Sequence, residues 1–473
     1  MEVERRQGVL SLNLMLPFNL NIFPQVHGTY ITGGSIRDIL LGRVPADYDI
    51  AVTGNPKEFA EKMAASSSGH MVEIGKLGQS IIRVLSGNKI FDITSLSGTS
   101  IEDDLTKRDF TINAMAYDVS SGKIIDNFGG RRDLANKKIR LVSKEIFIRD
   151  PIRLLRAFRM GACLDFEIES QTQTTIRNHA ALIQQTAGER VRTELFKMLN
   201  MPKSHHFIAK MDAAGLLTAI FPEIDPLKGC MQNRHHLYDG FEHTMRAYYH
   251  LENILNDPSK LMPEMASELT SCMDDDTPAL LKCSILLHDI GKPSVKTKDK
   301  NGEFHFYGHA KKSADMALVI SQRLKFSNRE KQFVDFIIRN HLKPLFFFVS
   351  HTNKSLTKRA LTRFFIKYAD NTPYLLLHAI GDIMAKNDQI DNNNEEFLSF
   401  ILEILRNFFY IYKPKCKEPP LLNGDDLIRE FGLVPSPLFK KILHLVEEAK
   451  LTNKAKSRAD ALELVRDFLE KQR

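Results

Sequence analysis

At 473 residues the chain is too long for one compact core, and roughly three or four domains are expected. Lys and Arg number 65 against 58 Asp and Glu, a formal net charge of +7 whose uneven placement suits a polyanionic partner. The five cysteines (Cys163, Cys230, Cys272, Cys283, Cys416) show no Cys-x-x-Cys spacing, which argues against a zinc ribbon and a disulfide framework.

In chain order, an apolar patch from Val9 to Phe23 comes first, interrupted by Asn13, Pro17, Asn19 and Asn21. It lacks a small-x-small cleavage site and is too short to cross a bilayer, so a soluble cytoplasmic protein with no membrane partner is expected. Tyr30 and Ile31 then run into Gly33-Gly34, and glycines let backbone amides approach a phosphate closely. Ser35 to Leu41 reads as a short helix whose N-terminus favours anions. A strand follows from Asp47 to Val52, and strand alternation puts Asp47 and Asp49 on one face, where two carboxylates can share divalent cations. Phosphates, Mg2+ and a positioned hydroxyl are the parts of a nucleotidyl- or phosphoryl-transfer site. An Asp-x-Asp by itself is more often a solvated turn or a cap than a metal site.

Between residues 28 and about 140, short β-like runs (Ile81 to Leu85, Ile90 to Ile93, Ile124 to Asn127) alternate with helical ones, giving an α+β region. Ser66 to Gly69, followed by Gly75 and Gly78, reads as a mobile excursion between strands. Asp92 is an acid inside an apolar strand, either a third carboxylate beside the cations or a hydrogen-bonded strand residue. Lys107 and Arg108 follow three acids, and the planar fork of Arg108 matches phosphate oxygens. Asp109 is read as orienting Arg108 or accepting a ribose hydroxyl, and Asn113 belongs to the same run.

From Asp150 onward strand signals nearly vanish and the pattern is helical. Asp150 precedes Pro151 and reads as an N-cap. Arg153, Arg156 and Arg159 recur every three residues, opposite Leu154, Leu155 and Phe158. A carboxylate accepts from an exocyclic amine and a guanidinium donates to ring acceptors, so Asp150 with Arg153 can pair with a base edge, leaving Arg156 and Arg159 for phosphates. An ordinary capped basic helix fits the same pattern. Breaks fall near Pro202, at Pro222 to Gly229 and at Asp257 to Pro278, with Asp274-Asp275-Asp276 as a solvated loop. Lys413 to Pro420 reads as a linker before a helical tail.

Gly-Gly-x-x-Arg-Asp, Asp-x-Asp, Arg-Asp-Phe-Thr-Ile-Asn-Ala-Met-Ala, Phe-Gly-Gly-x-x-Asp-Leu (Phe128 to Leu134), Asp-Pro-x-Arg-x-x-Arg and Glu-Arg-Val-Arg-x-Glu (Glu189 to Glu194) occur in this order. Together they resemble the class II tRNA nucleotidyltransferase and bacterial poly(A) polymerase family over roughly residues 28 to 225. The resemblance implies an α+β fold, with a mixed-sheet nucleotidyltransferase head over 1–140. It would be followed by an all-α neck over 141–228, and beyond the resemblance a helical metal-binding domain over 229–410 and a helical tail over 411–473 are expected. It implies that Asp47 and Asp49 bind Mg2+ and activate an RNA 3′-hydroxyl. Gly34, Arg37 and Arg108 would contact the nucleotide, Asp150 with Arg153 would select CTP or ATP, and Arg156 and Arg159 would be further nucleotide contacts. Arg149 departs from the family, which usually has Glu there.

The helical half carries His243, His288-Asp289, His309, His341 and Asp382, imidazoles and carboxylates on separate segments that can converge on a cation. Their order resembles the HD metal-dependent phosphohydrolase family, which implies a divalent or transition metal held by these six residues. His235 and His236 are expected nearby.

The reading this favours is CCA addition or repair on tRNA from CTP and ATP. The alternatives are poly(A) polymerase activity on other RNA 3′ ends, a chiefly HD phosphohydrolase with an RNA-binding head, or a non-catalytic RNA-binding protein. The last conflicts with an intact Asp pair. Ile74-Gly-Lys-Leu-Gly-Gln79 lacks the second basic residue and the Phe expected of the polyadenylating branch, while addition of only C or only A stays open. Lys-rich stretches (Lys292 to Lys300, Lys440 to Lys456) are candidates for tracking an RNA backbone or are solvated faces. Oligomeric state has no sequence signal.

Overall fold

A computed structural model of the chain describes residues 16–74, 81–231, 238–386 and 392–471. It forms two compact units, one of residues 1–194 with 210–220, the other of 195–209 with 221–473.

Alternation builds the first unit. In strand β2 (Tyr48–Val52) Tyr48, Ile50 and Val52 are buried on one face, which leaves Asp49 on the other. The same parity holds in β4 (Ile81–Ser86), where Ile82 and Val84 face the core, and in β5 (Lys89–Ser95), where Phe91 and Ile93 do. With β1 (Thr29–Thr32), β3 (His70–Ile74), β6 (Ala116–Asp118) and β7 (Lys123–Ile125) they form a seven-stranded sheet in the order β3-β4-β5-β2-β1-β6-β7. β2 and β5 run parallel and the other neighbours antiparallel, so the sheet is mixed. Helix α2 (Pro56–Ser66) covers the apolar face with Phe59, Ala60 and Met63.

The described part of the N-terminal apolar patch belongs to this core. Phe18 meets Tyr48 and Phe91 edge-to-face at 4.8 and 5.2 Å, worth about 0.5–1.5 kcal/mol per pair beyond area burial. Ser66 to Gly69 is a tight connection from α2 into β3, with Gly69 N–H donating to Ala64 O at 2.8 Å. Gly75 and Gly78 lie outside the described residues.

The second unit is helical. Its helix Thr277–Leu287 is buried nearly all round and is packed by helices Gly240–Asn256, Asn328–Asn340 and Thr372–Met384. Its one charged side chain, Lys282, donates to Glu252 at 2.8 Å, Leu199 O at 2.8 Å and Met201 O at 2.9 Å, so the buried charge is paired and hydrogen-bonded.

The break expected from Asp257 contains short turns (Pro258–Lys260, Pro263–Met265) and a helix, Ala266–Cys272. Asp274-Asp275-Asp276 is an exposed loop as expected, with Asp274 accepting from Thr277 N–H at 3.0 Å and pairing with Arg329. Lys413–Lys417, expected in a linker, is helical with Pro414 in the first turn, where a missing N–H costs nothing. The tail packs Leu427, Ile442, Val446, Ala461 and Val465 into a small core of its own.

Candidate nucleotidyltransferase and metal sites

The first site lies at the C-terminal end of β1 and the start of β2. Gly33 has φ +69, and a Cβ there would fall 2.5 Å from Arg108 Nη1 and 2.7 Å from Asp49 Oδ2. Only glycine lets the chain turn into helix α1 (Gly34–Leu40) while an arginine and a carboxylate press against it. Ser35 Oγ ties the turn to the acidic strand, accepting from Asp49 N–H at 2.9 Å and donating to Asp47 O at 3.3 Å.

A cavity of about 540 Å³ opens here, lined by Gly34, Arg37, Asp47, Asp49, Arg108, Arg153, Arg156 and Arg159 among others. It therefore gathers Asp47, Asp49, Asp109 and every nucleotide-contact residue singled out in this unit except Asp150, and Asp92 is not among its walls. Asp150 does not cap the helix Ile152–Leu164, since Pro151 is the cap and no side chain bonds there. Its carboxylate instead accepts from Arg190 Nη1 and Nη2 at 2.9 and 3.0 Å, with Arg153 Nε at 3.7 Å. The bidentate fork is the stronger pairing, and it takes Asp150 away from the helix terminus.

Each arginine has a holder. Arg37 donates to Asp38 through Nε and Nη2, both at 2.8 Å, and to Asn113 Oδ1 at 2.8 Å. Asn113 passes this on, donating to Asp109 Oδ1 at 2.9 Å, and Asp109 Oδ2 lies 3.1 Å from Arg156 Nε. Asp109 thus serves Arg156 and Asn113, not Arg108 as the sequence suggested. Arg108 is fixed by Asp104 at 3.0 Å and by Thr32 Oγ1 at 2.9 Å. Arg159 pairs with Glu194, and Arg153 Nη1 donates to Lys107 O at 2.9 Å. Asp92 stands beside Asp49 in parallel register but is occupied by Arg83 at 2.7 and 2.8 Å, the hydrogen-bonded alternative for this strand acid.

Burial pushes the Asp49 carboxyl up to about 6, with Arg108 opposing and Asp47 and Asp92 adding. A cation would relieve that cost, so the donor set fits a hard divalent metal. Burial works against charge on Asp109 as well, but Arg156, Asn113 and the Phe110 N–H together hold its carboxyl below the usual range.

The second site is wholly within the helical unit. His243 sits on helix Gly240–Asn256, His288 and His341 end helices Thr277–Leu287 and Asn328–Asn340, and His309 begins His309–Arg323. Asp382 comes from Thr372–Met384. Gly381 lets that helix close in, since a Cβ there would be 3.1 Å from Ala247 O and from Ile285 Cδ1.

The six residues expected from the sequence converge. His243 Nε2 is 2.8 Å and His288 Nε2 3.4 Å from Asp382 Oδ1, and His288 Nε2 is 3.2 Å from Asp289 Oδ2. His309 Nε2 is 3.4 Å from Asp289 Oδ1 and 3.2 Å from His341 Nε2. The Nδ1 atoms of His288, His309 and His341 bond the carbonyls of Ile285, Phe306 and Ile338 at 2.7, 2.8 and 2.7 Å, which fixes the Nε2 lone pairs inward as metal ligation requires.

Burial opposes charge on His288, yet Asp289 and Asp382 push its imidazole up to about 10, whereas burial and the neighbouring His288 take His341 down to about 3. Imidazoles and carboxylates crowded at such short range form a donor set that fits a cation. Lys292, one of the lysines considered for RNA, is buried against Asp289 at 2.6 Å, and Lys450 is buried donating to Glu418 O at 3.0 Å. His235 and His236 lie outside the described residues.

Sequence reading missed the holders Asp104 and Arg190, gave Asn113 and Glu194 no role, and passed over His378. Arg190, Asn113 and Glu194 lay inside motifs already noted, whereas His378 had only its place one helical turn before Asp382.

Fold and sites together define a nucleotidyltransferase head followed by helical domains with an HD-type cluster of imidazoles and carboxylates. Three family models match: the Poly A polymerase head domain over residues 29–140, the probable RNA and SrmB-binding site of polymerase A over 165–228, and the HD domain over 240–371. The A-adding tRNA nucleotidyltransferase of Deinococcus radiodurans is 29% identical over 94% of this chain and 96% of its own. The multifunctional CCA protein of Nitrosococcus oceani is 30% identical over 63% of this chain and 70% of its own. A CCA-adding enzyme of Thermotoga maritima, solved with tRNA, has the same fold, with a TM-score of 0.60 at 23% identity over 93% of this chain and 91% of that one. The chain belongs to the tRNA nucleotidyltransferase and bacterial poly(A) polymerase family. No described helix is long and apolar enough to cross a membrane.

Proposed function

We propose that this chain is a template-independent RNA nucleotidyltransferase that builds or repairs the 3′-terminal CCA of tRNA from CTP and ATP. In this reading the head spans 1–140, the neck 141–228, the HD domain 229–410 and the tail 411–473, and the setting is cytoplasmic. The observation that carries it is one cavity in which Asp47 and Asp49 share walls with Arg37, Arg108, Arg153, Arg156 and Arg159. The relatives, named for A-adding and CCA chemistry, support the tRNA substrate.

Mg2+ bound by Asp47 and Asp49 would supply charge neutralisation on the triphosphate and acidify the attacking 3′-hydroxyl. Arg37 and Arg108, locked by Asp38, Asn113, Asp104 and Thr32, present rigid donor forks to phosphate oxygens without having to reorganise. Asp150, aligned by Arg190, and Arg153 offer an acceptor and a donor to the base edge. The helical cluster supports a second reading, a metal-dependent phosphohydrolase whose imidazole-rich donors favour a transition metal.

The test is incubation of the purified protein with tRNAs ending before the first C, after one C and after two, with CTP and ATP given separately, beside a non-tRNA oligonucleotide. CTP should extend the first two tRNAs and ATP the third. Extension by C alone or A alone would narrow the activity, as in the A-adding relative. Tailing of the oligonucleotide by ATP would favour poly(A) synthesis, and no incorporation in any arm would overturn the proposal.

A further inference from the structure

Helix Thr372–Met384 brings two polar side chains to the HD cluster, one turn apart: Asp382 and His378. Asp382 is taken up by His243 and His288. His378 is fully buried, and neither of its ring nitrogens has a hydrogen-bond partner among the described residues. Its helix neighbours Leu375, Leu376, Leu377, Ala379 and Ile380 are buried and apolar. A polar group so placed is costly unless something supplied from outside the chain completes it.

Its position says what that is. The His378 ring centroid is 5.3 Å from that of His288 and 5.8 Å from that of His341. The rings already assigned to the cluster show the same spacing: 5.8 Å for His243–His288 and 5.2 Å for both His288–His341 and His309–His341. Imidazoles that share one cation at about 2.1 Å from each nitrogen place their centroids roughly 4.5–6 Å apart. Ordinary ring packing also covers that range, so the spacing permits a shared cation and the two partnerless nitrogens argue for one. A ring present only to fill space would be better replaced by leucine, which the rest of this helix uses freely.

We propose that His378 is a seventh donor of the helical metal centre, ligating a transition-metal cation through one ring nitrogen beside His288 and His341. This rests on the reading of the cluster as a metal centre. His378 lies outside the six-residue HD pattern and enlarges the imidazole share of the donor set, which biases the site toward Co2+-, Ni2+- or Zn2+-like ions over Mg2+.

The test uses the full chain, stripped by chelation and titrated with Co2+ in excess Mg2+ so that the carboxylate pair is filled. The readouts are Co2+ affinity, the visible d–d spectrum and the melting temperature with and without Co2+. In His378→Leu, affinity should fall at least roughly tenfold and the spectrum should change, while the metal-free protein melts at or above wild type because a partnerless polar group is gone. A purely structural ring predicts the reverse: a lower metal-free melting temperature with affinity and spectrum unchanged, which would overturn the proposal. Should His378→Leu fail to fold, Co2+ affinity and spectrum are read in His378→Gln, where the same fall and change are expected and wild-type values would overturn the proposal; its buried amide excludes the melting-temperature comparison. If the wild-type chain takes up no Co2+, the metal-centre reading fails with it; if only the variants match wild type, the failure belongs to His378 alone.

Discussion

Asp49 and Asp47 are the residues on which the proposed addition reaction turns. Asp47→Ala removes one carboxylate from the pair and should cut CTP and ATP incorporation by several orders of magnitude, measured on a tRNA lacking its 3′ end, with the fold retained by circular dichroism. The Asp49 carboxyl is pushed up to about 6, so below that pH a proton competes with the cation for it. Mg2+ affinity should therefore weaken about tenfold per pH unit as the pH falls below roughly 6, and be nearly flat above it. Calorimetric titration from pH 5 to 8 reads this, and a flat profile would mean Asp49 does not ligate. In the proposed reading, nucleotide choice falls to Asp150 with Arg153, and Arg190 aligns Asp150. Because Arg190 grips Asp150 at 2.9 and 3.0 Å, Asp150→Ala and Arg190→Ala should both blur the preference between CTP and ATP. Each should leave tRNA affinity within a few-fold of wild type. Unchanged selectivity in both would remove the base-edge role.

At the scale of elements, the turn from β1 into α1 has the least freedom. Gly33→Ala puts a methyl 2.5 Å from Arg108 Nη1 and 2.7 Å from Asp49 Oδ2, on a backbone with φ +69. The strain alone costs about 1–2 kcal/mol, and both functional side chains must move. Nucleotide addition should fall further than the melting temperature suggests. The strands were readable from alternation: Ile81 to Leu85 and Ile90 to Ile93 appear as β4 and β5 with little change of bounds. Capping was not readable at Asp150, since a competing guanidinium forty residues on cannot be seen locally. Nor was the helix Lys413–Lys417, where proline composition suggested a linker but proline at the first turn is compatible with a helix.

At the scale of the whole molecule, each site draws its residues from one compact unit, Asp47 through Arg190 from the first and His243 through Asp382 from the second. Their chemistries should separate. His288→Ala should abolish metal-dependent phosphoester hydrolysis and lower transition-metal uptake, while tRNA end addition stays within a few-fold of wild type. Loss of both together would contradict independent sites. The chain's sequence by itself determined an α+β head and a helical remainder, because strand parity and helix periodicity are local properties of the chain, while the mixed sheet and the six-residue HD set were implied by the resemblance of ordered motifs. Only the tertiary structure decided which partner holds each charge: Asp109 with Arg156, Asp150 with Arg190, and Arg37 with Asn113. Those pairings join residues up to 76 positions apart, and electrostatics in a low-dielectric interior is set by distance in space, which spacing along the chain does not encode.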